Sequence, residues 1–321
     1  MPIDDKELTY ILDRTFSGII ANMYKLKPPT FLEVYHEMTS TENVEKVGRY
    51  EGMGKPVERE RGSGAQVSLS SIKQGRAVLF TPMQFADGML IPEEFIRLAR
   101  NMKLQSERAT DIMMECLSPW YEAFRQNRDD YLVKPFTDNP SIYIDGSETF
   151  FMPFGGSGHP DKVGNTYYNS GDPTTGANLL LTYDNLYTAS YQLRYINNRT
   201  EMSLKMDNKP DILVVAPNLE KTAHEILSSK LKPGTANNDA NFFYDYVADV
   251  PKLSLLVHDG LSDNQWFIGK RRAGLRTYNC KLFTVGTEYN LVSISWVAVA
   301  HEEWSYNVLD WRPWYQGHDG T

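Results

Sequence analysis

The residue types that could carry out chemistry are few in this chain and stand far apart. His301-Glu302-Glu303-Trp304-Ser305 starts like the helix of a zinc protease, but Ser305 occupies the place of the second histidine. Gly155-Gly156-Ser157-Gly158-His159 offers the serine of a nucleophile elbow. Its closing glycine is His159, however, and no apolar strand leads tightly into a helix there. The same stretch runs on to Lys162 without the Gly-Lys-Ser/Thr that sets a lysine and a magnesium-binding hydroxyl on phosphates. The histidines, at 36, 159, 224, 258, 301 and 318, include no pair at helical ligand spacing. Cys116 lies on an apolar helical stripe and reads as core, whereas Cys280 fits core or surface. Asn198-Arg199-Thr200 matches a glycosylation sequon, which means little in a protein made in the cytoplasm. No nucleophile, base and orienting group cluster in the sequence, so no catalytic residue, metal ligand or cofactor is assigned.

The elements that would have to position a site belong to an ordinary folded chain. Its 321 residues suffice for two lobes around a substantial core, and 41% hydrophobic with 23% charged residues excludes a disordered or collagen-like chain. A formal charge of −8 argues against a broad nucleic-acid-gripping face. One local basic run, Lys270, Arg271, Arg272 and Arg276, reads as solvated surface. Two cysteines without a CxxC pair fit a reducing compartment. The first residues are acidic where a signal peptide needs basic ones, and no apolar run approaches the roughly 18–20 residues that cross a bilayer.

Along the chain, Leu8, Ile11, Leu12, Phe16, Ile19, Ile20 and Met23 step by three and four, which suits short amphipathic helices before Pro28-Pro29. Residues 42–82 turn polar and glycine-punctuated; weak alternation over 44–50 and 66–79 suits a long hairpin solvated on both faces. Such a hairpin is marginal alone and needs a neighbour to lie on. Pro92, Glu93 and Glu94 open the longest helix, expected over about 92–117, with Ser118-Pro119 ending or kinking it. Short strands are expected at 131–133, 141–144 and 149–152, with Asp145-Gly146 as a turn, followed by a glycine-rich loop at 155–171. Helix, strand and helix then fall at about 182–196, 211–216 and 218–229, and Ile212-Leu213-Val214-Val215 suits a strand covered on both faces. Strands at 253–257, 265–268, 281–285 and 291–300 close the chain before an aromatic tail of Trp304, Trp311, Trp314 and Tyr315.

This order resembles the Hong Kong 97-type capsid fold of tailed phages, and local stretches are similar to the Mu-like major head subunit family. Ile144-Asp145-Gly146-Ser147-Glu148-Thr149-Phe150-Phe151, leading to Gly158-His159-Pro160, resembles that family's hairpin with its His-Pro. Asn165-Thr166-Tyr167-Tyr168-Asn169, Leu181-Thr182-Tyr183-Asp184-Asn185-Leu186 and 210–220 follow in the family's order. So do Pro233-Gly234-Thr235-Ala236-Asn237-Asn238, Gln265-Trp266-Phe267-Ile268 and the ending from Trp311-Arg312 to Gly317. The loop between Phe151 and His159 is longer and richer in glycine than the family's, and the first 80 residues match no motif of it.

The resemblance implies an α+β capsid subunit: an N-terminal arm (1–41), an extended hairpin (42–82), a peripheral domain with the spine helix (83–171), an axial domain (172–285) and a return to the peripheral domain (286–321). It implies a major capsid protein, not an enzyme, assembling as hexamers and pentamers around double-stranded DNA without sequence-specific binding. The subunit would be made in the host cytoplasm and end in the virion. The partners implied are a separate scaffolding protein, a portal and a cement or decoration protein, with no membrane and no cofactor. Arg49, Tyr50, Arg59 and Arg61 on the hairpin, with Trp311, Trp314 and Tyr315 near the end, are the expected subunit contacts, because arginine and aromatic anchors dominate interface energetics. Some related shells cross-link a lysine to an asparagine, and Lys55 or Lys73 could supply the amine. An encapsulin-like compartment and an α/β hydrolase or ligand-binding protein built on 211–229 are the alternatives.

Overall fold

The computed structural model describes residues 18, 26–42, 44–51, 73–92, 106–138, 142–145, 150–151, 159–160, 166–167, 169–171, 177–197, 209–233, 239–244, 252–290 and 295–318. Its centre is a four-stranded sheet of β9 (Ile212–Val215), β10 (Ser254–Val257), β11 (Trp266–Gly269) and β14 (Trp314–His318), in the order β10-β9-β11-β14. All four residues of β9 are fully buried, as an apolar strand covered on both faces requires. Side chains alternate across the sheet and so feed two cores. Ile212, Val214, Phe267 and Trp314 point to one side, where Phe31, Leu132 and Phe136 meet them. Leu213, Val215, Trp266, Ile268 and Tyr315 point to the other, against α2 (Tyr183–Asn197) and α3 (Glu220–Ser228). Two glycines permit this density. A Cβ on Gly269 would stand 2.4 Å from the Trp314 ring, and one on Gly317 would stand 1.9 Å from Trp266. Each tryptophan thus lies over a glycine of the opposite strand.

The second large sheet joins β1 (His36–Thr39), β12 (Leu275–Asn290), β13 (Ser295–Val308) and β4 (Met83–Pro92), in the order β1-β12-β13-β4. β12 and β13 form one long hairpin, bulged at 279–281 and 281–284, where the sequence suggests separate short strands. A third sheet is β2 (Glu45–Glu51), β3 (Lys73–Phe80), β5 (Ile142–Asp145) and β6 (Phe150–Phe151). β7 (His159–Pro160) pairs with β8 (Thr166–Tyr167). The sheets divide the chain differently from the sequence boundaries. β12 runs straight through 285/286, and β14, expected with the peripheral part, pairs with β11.

The long helix α1 covers Ser106–Thr137 and contains Pro119 and Pro135, so it does not stop at 117. A helix-interior proline removes a backbone bond and costs about 3 kcal/mol. Here Ser118 and Pro119 are exposed, while Leu117, Trp120, Tyr121 and Phe124, then Leu132, Val133 and Phe136, are buried. Those side chains recover about 1.5–3 kcal/mol each, which outweighs the proline. Residues 131–133, expected as a strand, are helical for the same reason: their burial belongs to a three-and-four spacing that starts at Leu117. The helix start expected near Pro92 lies outside the described residues, and Pro92 itself ends β4.

Helix α1 also seats the segment before β1. The Asp129 carboxylate accepts the backbone N–H groups of Thr30 (3.0 Å) and Phe31 (2.8 Å), which open a 3-10 turn at Thr30–Val34. Tyr121 donates to the Lys27 carbonyl (2.8 Å) and Tyr35 to the Leu132 carbonyl (2.7 Å). Asp129→Ala strands two donors, one of them buried, and at about 1–3 kcal/mol for a buried group left unsatisfied it should lower the urea midpoint measurably. An unchanged midpoint would mean that water replaces the carboxylate.

Candidate assembly surface

The hairpin is rooted in the core. Glu45 pairs with Phe80, Val47 with Val78 and Gly48 with Ala77. The register then shifts, and Tyr50 pairs with Gln74 and Glu51 with Lys73. Ala77, Val78 and Phe80 are buried, and the Phe80 ring meets Tyr278 edge-on at 4.9 Å. β3 is further held by β5 through Ala77–Asp145 and Val78–Ile144. Arg49 stands at the register shift between Gly48 and Tyr50. Arg49 and Tyr50 therefore lie on β2, whereas Arg59 and Arg61 fall outside the described residues.

The aromatic contact candidates go elsewhere. Trp311, Trp314 and Tyr315 are 9%, 2% and 0% exposed, spent inside the chain's own two cores. This burial speaks against the subunit contacts expected of them, because an anchor must keep area free to bury in a partner. Apolar area left open lies instead on the outer face of β4 and β13, where Leu90 is 64% and Val299 43% exposed, and on α2 at Tyr187 and Tyr191.

The most elaborate polar constellation is internal and was not legible as a motif. Arg128 of α1 donates to Asn279 Oδ1 of β12 (2.5 Å), and its guanidinium lies 5.1 Å from the Trp304 ring centre. Asn279 donates in turn to Glu37 of β1. Glu302 accepts the Trp304 indole N–H (3.0 Å). Four elements are thereby tied together. His301 and Glu302 sit on a strand, which sends neighbours to opposite faces, so the zinc-helix reading has no geometry behind it.

Burial pushes the Glu302 carboxyl up, with the Arg128 charge and the Trp304 hydrogen bond pulling it partly back. The folded chain thus holds a proton at a pH where the unfolded chain has released it. Stability from this group is complete at acid pH and is lost as pH rises through the raised value. Urea midpoints should fall across that window for wild type, and Glu302→Gln should flatten the fall; an equal slope in both would assign it to other groups. Cys280 is no nucleophile candidate, since burial and then the Glu303 and Glu45 carboxylates raise its thiol above its ordinary value. Among the described residues no group of three His, Cys, Asp or Glu could hold a metal, and no helix is long and apolar enough to cross a membrane.

No protein-family model matches the chain, and no curated protein matches it. Solved structures do. One of Mycobacterium phage Patience aligns with a TM-score of 0.53 at 8% identity, covering 98% of this chain and 89% of that one. The capsid of a native GTA particle, computed with C5 symmetry, aligns at 0.51 and 11% identity over 90% and 89% of the two chains. The capsid structure of the cyanophage P-SCSP1u aligns at 0.50 and 10% identity over 90% and 88%. The chain shares its mixed helix-and-sheet fold with these structures.

Proposed function

We propose that the chain is a major capsid protein, a non-enzymatic subunit whose copies assemble as hexamers and pentamers into an icosahedral head around double-stranded DNA. The observation that carries this is the likeness to capsids over about nine-tenths of both chains. A likeness confined to the inner sheet would suit many α/β proteins; one that takes in about nine-tenths of the chain does not. The ordered local stretches within 144–317 support the Mu-like major head subunit family. In this reading the inner sheet with α2 and α3 forms the axial part, the β1-β12-β13-β4 sheet and α1 form the peripheral part, and the 42–82 hairpin lies across an adjacent copy. Arg49 and Tyr50 of β2, with Arg59 and Arg61 beyond it, supply contacts there. The head is completed by a scaffolding protein, a portal and a cement or decoration protein, assembled in the host cytoplasm.

Much of the stability then resides between copies, so the apparent melting temperature should rise with concentration. Sedimentation velocity over a wide concentration range tests this. Species of five, six or many more copies are expected; a monomer at every concentration, alone and with its scaffold, speaks for a ligand-binding protein instead.

A further inference from the structure

We propose that one end of the inner sheet, where Lys209, Lys252, Lys270, Arg271, Arg272 and Arg312 converge, is a phosphate-binding edge that holds duplex DNA without reading its sequence. The identity of the polyanion rests on the capsid reading; the convergence of charge does not.

Strand directions bring these residues together from four separate stretches of sequence. β9 and β10 are parallel, with Ile212 opposite Ser254, so Lys209 and Lys252, which precede them, lie at the same end. β11 runs the other way, with Gly269 opposite Ile212, so its exit through Lys270, Arg271 and Arg272 emerges at that end too. β14 starts there, with Trp314 opposite Gly269, and Arg312 comes just before it. Every strand of the sheet thus ends in a cation. With neighbouring strands about 4.8 Å apart, the row is roughly 15 Å wide. A duplex carries about one charge per 1.7 Å of axis, so such a row meets several phosphates.

The edge is fixed rather than loose. The Arg271 backbone N–H donates to Asp211 Oδ1 (2.7 Å), and its guanidinium reaches Glu33 and Ser254 Oγ. Ser254 N donates to the Asp211 carbonyl (3.0 Å), and Lys270 N to that of Pro313 (3.1 Å). Arg271 is therefore the brace. Lys252 and Arg272, both exposed, are the hands. Arg272 holds a left-handed φ of 56°, its N–H bonded to the Val34 carbonyl at 2.8 Å. Among the described residues six cations at this end face three carboxylates, Glu33, Asp211 and Asp310, on a chain whose net charge is −8. A polyanion is repelled by the molecule as a whole and attracted here. The neighbouring rings, Trp311 and Trp314, are buried, so among the described residues they offer unpaired bases no stacking platform at this edge, which favours a duplex over a single strand.

Fluorescence anisotropy of a random-sequence duplex with the unassembled full chain, titrated with salt, tests this. Wild type is expected to bind at low salt, log affinity falling linearly with log salt. Lys252→Ala and Arg272→Asn, the latter tolerant of the left-handed backbone, should each make the slope shallower by about one, for any DNA sequence. Lys221→Ala, at an exposed position of α3 at the opposite end of β9, should leave it unchanged. No wild-type binding, or an equal effect of Lys221→Ala, overturns the proposal. Displacement of the duplex by polyglutamate at matched charge also overturns it, assigning the edge to an acidic protein. Binding is read without assembly, so failure to form shells would sink the capsid reading while leaving this result interpretable.

Discussion

Trp314→Ala should cost the chain its fold, not merely its ability to assemble. The Trp314 ring is buried in the larger core and meets Phe136 edge-on at 5.2 Å. It also lies over Gly269, and its indole N–H donates to the Ala273 carbonyl at 3.0 Å. Truncating a buried tryptophan costs about 3–5 kcal/mol, a large part of the roughly 5–15 kcal/mol that holds a typical domain together. The cavity cannot collapse easily, because Phe267 and Phe136 are themselves locked edge to face at 5.0 Å. Urea unfolding followed by near-ultraviolet circular dichroism should show a strongly lowered midpoint, or no native signal. An unchanged midpoint with lost assembly would return Trp314 to a subunit contact.

Removing residues 52–72 and closing Glu51 to Lys73 with Asn-Gly should do the reverse. The hairpin's described buried side chains, Ala77, Val78 and Phe80, lie at its base, and the β3–β5 pairing stays intact. A shorter connection also costs less closure entropy. The urea midpoint should therefore move by no more than about 1 kcal/mol in equivalent free energy, while assembly is abolished. Shells at wild-type yield would remove the hairpin from the mechanism.

The inner sheet and its helices were readable because their signals are local. The run at 212–215 needs cover on both faces, and Pro217 marks the turn into α3. The end of the long helix is misread because Ser118-Pro119 looks locally like a start, while the burial that carries the helix past it comes from residues up to Phe136. The tryptophans at 311 and 314 read as anchors since aromatic residues serve cores and interfaces alike; only their packing in the two cores separates the two roles. Arg128, Asn279 and Glu302 are hidden in sequence, as they lie on α1, β12 and β13 and meet only through tertiary structure. The basic edge was half visible. Lys270 to Arg276 stood out as a run, but Lys209 and Lys252 join it only through strand direction.

Electron microscopy of the purified full chain, with and without a candidate scaffolding protein, bears most directly on the capsid reading. Closed shells or five- and six-membered rings, with the hairpin of one subunit resolved across its neighbour, are the expected result. A compact monomer under both conditions, with no ring or shell at any concentration, would contradict it.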